Sequence, residues 1–180
     1  MVKAAWAMEL PRLSLAEWIV LALIAEQPRH GFAVAVLTAP DGEIGRVWQL
    51  PRPIVYRALA ALAERGLGEL AQTELGNRGP QRSVYAASPE AASAIRRWLR
   101  APVEHVREAR SELLVKLALL DRRGWSQRSL ITAQRKVLTG RESDLRTGIE
   151  HESGFGRLVL IWRLESARAV ERFLDTVENR

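Results

Sequence analysis

The chain has 180 residues, 27 of them basic and 21 acidic, and no cysteine. That length allows one domain, or one small domain with an appendage, and a core that needs neither metal nor disulfide to hold it. Disulfide frameworks, thiolate metal sites and thiol nucleophiles are excluded. The longest apolar run, Trp18 to Ala25, is too short for a membrane span, so a soluble cytoplasmic protein is expected.

The net charge of +6 raises the prospect of a polyanionic partner, but it is unevenly placed. Residues 1–90 carry nine basic and nine acidic side chains, and residues 91–180 carry eighteen and twelve. Nucleic-acid binding by the first half must therefore rest on local clustering.

Ser14-Leu15-Ala16-Glu17 reads as a capping box, and the apolar run after it as a helix to about Gln27. That helix is apolar on most sides, which places it centrally in a core. Pro28 ends it. Gly31 to Thr38 reads as a short second helix, closed by the turn signal Pro40-Asp41-Gly42. Arg46 to Leu50 reads as extended. From Pro53 to Arg65 the apolar residues Ile54, Val55, Ala58, Leu59, Leu62 and Ala63 follow helical spacing, with prolines at the start and Gly66 placed to end it. Leu67–Thr73 and Ser83–Ala87 read as two strands of a hairpin with a long basic tip at residues 75–82.

Ser88-Pro89-Glu90 caps a helix to about Arg100, and everything after Pro102 is predicted helical: Arg110–Arg122, Ser126 to about Thr147, and Leu158–Val177, with a loop at Glu150–Gly156. The last helix carries Leu158, Ile161, Trp162, Val170, Phe173, Leu174 and Val177 on one side. A long polar helix with a narrow apolar stripe usually packs against a partner, so this stripe is the expected dimer interface.

Three helices and then a two-stranded hairpin is the order of a winged helix-turn-helix. The expected fold is mostly α: a winged helix over residues 1–88, then a helical dimerisation region over 89–180. A helix fits the major groove with its N-terminal turns toward base edges, and a hairpin beside it can lay cations on the backbone. The candidate recognition helix carries Arg52, Tyr56 and Arg57; the candidate wing carries Asn77, Arg78, Gln81 and Arg82; and His30 opens the second helix. Residues 46–82 hold six Arg against three Glu, so the cations gather where such a protein meets DNA.

The residues also resemble a known family, the PadR-like transcriptional regulators. The likeness rests on Pro28-Arg29-His30-Gly31-Phe32, on Val55-Tyr56-Arg57-Ala58-Leu59-Ala60-Ala61-Leu62-Ala63-Glu64-Arg65-Gly66-Leu67, on Gly79-Pro80-Gln81-Arg82-Ser83-Val84-Tyr85-Ala86-Ala87-Ser88-Pro89-Glu90, and on Leu113-Leu114-Val115-Lys116-Leu117-Ala118-Leu119-Leu120. It covers roughly residues 13–123. It departs from the family at Arg52, flanked by Pro51 and Pro53 where a small polar cap is common, and at Phe32, where Tyr is usual. The resemblance implies a repressor that dimerises through C-terminal helices, with Tyr56 and Arg57 on the operator and Arg78 and Arg82 holding the wing on the backbone. It also implies that some members respond to phenolic acids or hydrophobic drugs.

Six Trp, at positions 6, 18, 48, 98, 125 and 162, suggest an aromatic effector pocket with Trp18, Trp98 and Trp162 as its candidates, or else ordinary core and interface packing. Nucleophile-elbow, Walker and dinucleotide motifs are absent, and His30, His105 and His151 lie far apart. No enzyme activity, cofactor or metal site is expected. The alternative to a DNA-binding regulator is a winged helix that binds protein or sequesters a ligand, a reading favoured by the neutral first half.

Overall fold

The computed structural model describes residues 10–74 and 82–179. At its start the capping box forms: the Glu17 N–H donates to Ser14 Oγ (3.3 Å), and the Ser14 N–H donates to Glu17 Oε2 (2.7 Å). Helix α1 (Leu15–Glu26) follows, with every residue from Trp18 to Ile24 buried. Partial burial pushes the Glu17 carboxyl up, but the bonds from the Ser14 backbone and hydroxyl, with the charge of Arg65, outweigh it and leave Glu17 below the ordinary carboxylate value. Because the folded value lies below the unfolded one, the stabilisation is present at neutral pH and lost as pH falls through the folded value. Glu17→Ala is expected to lower stability by about 1 kcal/mol at neutral pH, the difference shrinking in acid. Urea unfolding at several pH values measures this, and a pH-independent difference would count against it.

After Pro28 the chain does not pass directly into a helix. Arg29–His30 forms a short strand, β1, antiparallel to β3 (Arg82–Ala87), with Arg29 opposite Tyr85 and His30 opposite Val84. Nothing in the local sequence marks it, because a two-residue strand exists only when its partner is already in place. Helix α2 (Gly31–Leu37) follows at once.

The extended segment expected at Arg46–Leu50 is not formed through Trp48. The chain from Ala39 to Trp48 winds through successive turns: Ile44 and Gly45 both donate to the Leu37 carbonyl (3.0 and 3.1 Å), and Trp48 donates to Ile44 O (2.9 Å). Ile44 is fully buried at the centre, and that burial pulls the chain inward.

Helix α3 (Arg52–Glu64) starts at Pro51, and its buried residues Val55, Ala58, Leu59 and Leu62 are among those expected from spacing. Gly66, at φ +65°, takes the left-handed position that ends it and turns the chain into β2 (Gly68–Glu74). β2 pairs antiparallel with β3, with a bulge between Leu70 and Gln72, giving the sheet order β1-β3-β2.

Helix α4 (Pro89–Arg100), capped by Ser88, lays Ala91, Ala94, Ile95, Trp98 and Leu99 into the core. The connection after it is held by Gln134, which accepts from the Val103 N–H (2.8 Å) and donates to the Val103 carbonyl (3.1 Å). A 3₁₀ turn (Val106–Glu108) and a π turn (Ala109–Leu113) lead into α5 (Leu114–Arg122). Helices α6 (Arg128–His151) and α7 (Gly154–Glu178) pack against each other, joined by only Glu152 and Ser153. The loop expected at Glu150–Gly156 is thus almost absent. Glycine inside a helix costs roughly 1 kcal/mol, and the helix–helix packing offsets it. One buried cluster runs from Trp18 to Leu174 across the expected boundary at residue 88.

Candidate nucleic-acid interface

Helix α3 buries one face and leaves Arg52, Pro53, Tyr56, Arg57 and Ala60 exposed on the other, at three- and four-residue spacing. Arg46, in the turns before the helix, is exposed too. Among the described residues no carboxylate pairs with Arg46, Arg52 or Arg57. Arg65, at the far end of α3, is different: it donates to the Arg12 carbonyl (2.8 Å) and pairs with Glu17 (3.5 Å), anchoring the chain before α1. Of the cations that residues 46–82 gather where such a protein meets DNA, Arg65 is therefore structural, while Arg46, Arg52 and Arg57 have no carboxylate partner among the described residues.

Tyr56 is half exposed, and its ring lies against Gly31, the first residue of α2. A Cβ at position 31 would stand 2.7 Å from Tyr56 Cε1, so glycine is what lets the ring lie against α2. The guanidinium of Arg52 lies over the Phe32 ring, 4.6 Å from its centroid. Phe32, which stands where the family usually has Tyr, is 53% exposed. His30 is half buried and joined to the sheet through β1. Arg82 opens β3 opposite Glu74. Asn77, Arg78 and Gln81 lie outside the described residues.

The three Trp proposed for an effector pocket do not come together. Trp18 and Trp98 stack on each other in the core, with centroids 4.9 Å apart and planes within 2°. Trp162 is 74% exposed on α7. The stacked pair roofs a buried lysine instead: Lys116, 1% exposed, lies over the Trp98 ring and bonds Glu112 (2.6 Å) and the Ala101 carbonyl (2.9 Å). Trp98 Nε1 donates to the same Glu112 oxygen (2.9 Å). Burial pushes the Lys116 ammonium below its usual value, and Glu112 and Glu108 pull it part of the way back. The open cleft nearest the junction of α1, α4 and α5, about 600 Å³, is lined by other residues, among them Glu26, Arg29, Arg96, Arg122, Arg123 and Trp125.

The stripe expected as an interface on α7 also divides. Leu174 is fully buried inside the chain, and Val170 and Val177 pack on the same core. Leu158, Ile161, Trp162 and Phe173 stay exposed, and Phe155, which the sequence placed in a loop, joins them. Helix geometry accounts for the split. Trp162 and Phe173 are about three turns apart on one side, whereas Leu164, Ala167 and Leu174 face inward.

A helix, a short strand, two helices and an antiparallel hairpin, with the short strand on the hairpin's other edge, define a winged helix-turn-helix, here followed by further helices. Among the described residues, no helix is long and apolar enough to cross a membrane. Neither a protein-family model nor a curated protein matches the chain. Solved structures to which it is similar include Bacillus subtilis PadR in complex with operator DNA, at 18% identity and a TM-score of 0.48, over 91% of this chain and 97% of that one. Others are smu.1604c from Streptococcus mutans UA159 (11%, 0.43, covering 91% and 98%) and a second structure of Bacillus subtilis PadR (17%, 0.38, covering 91% and 92%).

Proposed function

We propose that the protein is a homodimeric, sequence-specific DNA-binding transcriptional regulator, acting as a repressor. The observation that carries this reading is the exposed stripe of α3: Arg52, Tyr56 and Arg57, with Arg46 beside them and no carboxylate partner among the described residues. Guanidiniums without a carboxylate partner, on the exposed side of a helix whose other face is buried, suit phosphate and base contact in a major groove. Arg78, Gln81 and Arg82 of the wing would add backbone contacts, and His30 would lie near a phosphate. The exposed apolar side of α7 is a surface that a second copy would cover. Two α3 helices would then meet successive major grooves about 34 Å apart on a pseudo-palindromic operator. A small aromatic or hydrophobic effector that binds one dimer geometry better than the other would release the DNA.

The test is fluorescence anisotropy with the duplex upstream of the protein's own coding region, over a range of salt. Log affinity is expected to fall linearly with log salt. Arg57→Ala should make that slope shallower by about two for the dimer, one per guanidinium removed; Arg82→Ala should act in the same direction. Binding no tighter than to random duplexes, with unchanged slopes in both variants, would sink the reading.

One observation favours a second reading, a winged helix that binds protein. Phe32, Val36 and Trp48 are exposed apolar residues on α2 and in the turns that lead to α3. A protein-binding winged helix would have no salt-sensitive DNA affinity to lose, and the same titration separates the two.

A further inference from the structure

Arg52 and Arg57 are five residues apart, both on the exposed side of α3, yet they are held differently. The Arg57 guanidinium has no hydrogen bond, ion pair or ring contact among the described residues. Arg52 lies over Phe32, a residue of another helix, with its Cζ 4.6 Å from the ring centroid. We propose that Arg52 is the guanine-reading residue of α3 and that Phe32 positions it for that task. This rests on the DNA-binding reading above.

Arg52 is the first residue of α3, with Pro51 as N-cap and Pro53 directly after it. The N-terminal turn of a recognition helix is the part that reaches base edges, so the residue at its first position reads bases if its side chain reaches the groove floor. Its neighbours at that turn, Pro51 and Pro53, supply no hydrogen-bond donors, neither from the side chain nor from the backbone nitrogen. The first turn therefore offers one strong donor group, and it is this guanidinium.

The ring contact sets how that group is presented. An aromatic face occupies the flat face of a guanidinium and leaves its edge N–H groups open. The edge is what forms two parallel bonds to O6 and N7 of guanine. A long side chain loses rotamer freedom when it binds, and a side chain already resting on a ring loses less. Phe32 is able to do this because it faces outward: it is 53% exposed on α2, one residue after the glycine against which Tyr56 packs. The ring that seats Arg52 and the backbone that seats Tyr56 are thus consecutive residues of one short helix, and α2 acts as a platform that orients two side chains of α3. Arg57, with no ring beneath it, is left for a phosphate, where a flexible cation serves as well as a fixed one.

In vitro selection from a duplex library randomised across two half-sites tests the assignment, using the full-length protein. The wild type is expected to enrich a motif with a guanine at one position of each half-site. Arg52→Ala should keep the rest of the motif and lose that guanine. Phe32→Leu should weaken the preference there, and Phe32→Tyr should restore it, while affinity for random duplexes stays unchanged in both, a pattern that a general loss of structure would not produce. Replacing that guanine by 7-deazaguanine removes one of the two acceptors; it should weaken the wild type about tenfold and leave Arg52→Ala unaffected. If Arg52→Ala selects the same guanine, or if 7-deazaguanine weakens both proteins alike, the assignment is wrong. If the wild type enriches no sequence over the input, the regulator reading fails and this assignment with it, a result distinct from the other two.

Discussion

Replacing Glu26 by Ala is expected to destabilise the protein by about 3 kcal/mol, more than any other single change to a charged side chain discussed above. Glu26 ends α1, and its carboxylate accepts from Arg29 Nη2 (3.1 Å) and from Arg122 Nε and Nη2 (both 3.1 Å), and forms an ion pair with Arg123 Nη1 (3.2 Å). Arg122 reaches Glu43 as well, and Arg123 also donates to the carbonyls of Leu119 and Ala22. All three arginines are mostly covered, so their charges are only weakly screened by water. The ionisation of Arg122 and Arg123 reflects this competition. The Glu26 bond, against some loss of water, raises Arg122; burial lowers Arg123, opposed by Glu26 and reinforced by Arg122.

Without the carboxylate, three cations face one another at the junction of α1, β1 and α5. The penalty is that of leaving charges covered and uncompensated, which exceeds the worth of any one ion pair. Glu26→Gln keeps an acceptor oxygen and is expected to lose about half as much. Urea unfolding measures both, as a lower midpoint with an unchanged slope. A loss under about 1 kcal/mol for Glu26→Ala would mean the arginines relax outward to water and the junction does not depend on this residue.

The second large effect separates two neighbouring parts of α7. Leu174→Asp is expected to cost roughly 4 kcal/mol and to unfold much of the protein at ordinary temperature, because it removes a fully buried side chain and puts an unpaired carboxylate in its place. Trp162→Asp removes a larger side chain, yet its ring is already in water in the single chain. It should change monomer stability by no more than about 0.5 kcal/mol while weakening self-association by about 2 kcal/mol, roughly 30-fold. Thermal unfolding and sedimentation velocity on both variants give the two readouts. A Trp162→Asp protein that stays dimeric at the wild-type concentration would remove this face of α7 from the interface.

Patterns that repeat every few residues were legible. The capping box at Ser14 and Glu17, the helical spacing from Val55 to Leu62 and the turn at Gly66 each arise from contacts within a few positions of the chain, and each is found where the sequence places it. The exposure of Arg52, Tyr56 and Arg57 followed from the same periodicity, since fixing the buried face of a helix also fixes the other. The limits lie where one side chain has two possible fates. Trp18, Trp98 and Trp162 are chemically alike, and only the packing of α4 on α1 decides that two of them stack while the third meets solvent. Leu174 and Trp162 both belong to an apolar stripe, and nothing local says which half of α7 is covered by α6.

The sequence by itself determined where α1 and α3 begin, which face of α3 looks outward, and that cations gather near its start. Those properties depend on hydrogen bonds and side-chain spacing inside a single turn or two. The tertiary structure alone decided that Arg29–His30 becomes a strand, that Glu26 gathers arginines from positions 29, 122 and 123, that Arg65 is spent on the start of the fold, and that Phe32 lies under Arg52. Each of these joins elements that local pattern cannot bring together. Their partners lie from a few residues to almost a hundred residues away, and which cation meets which carboxylate or ring is settled only when the core closes.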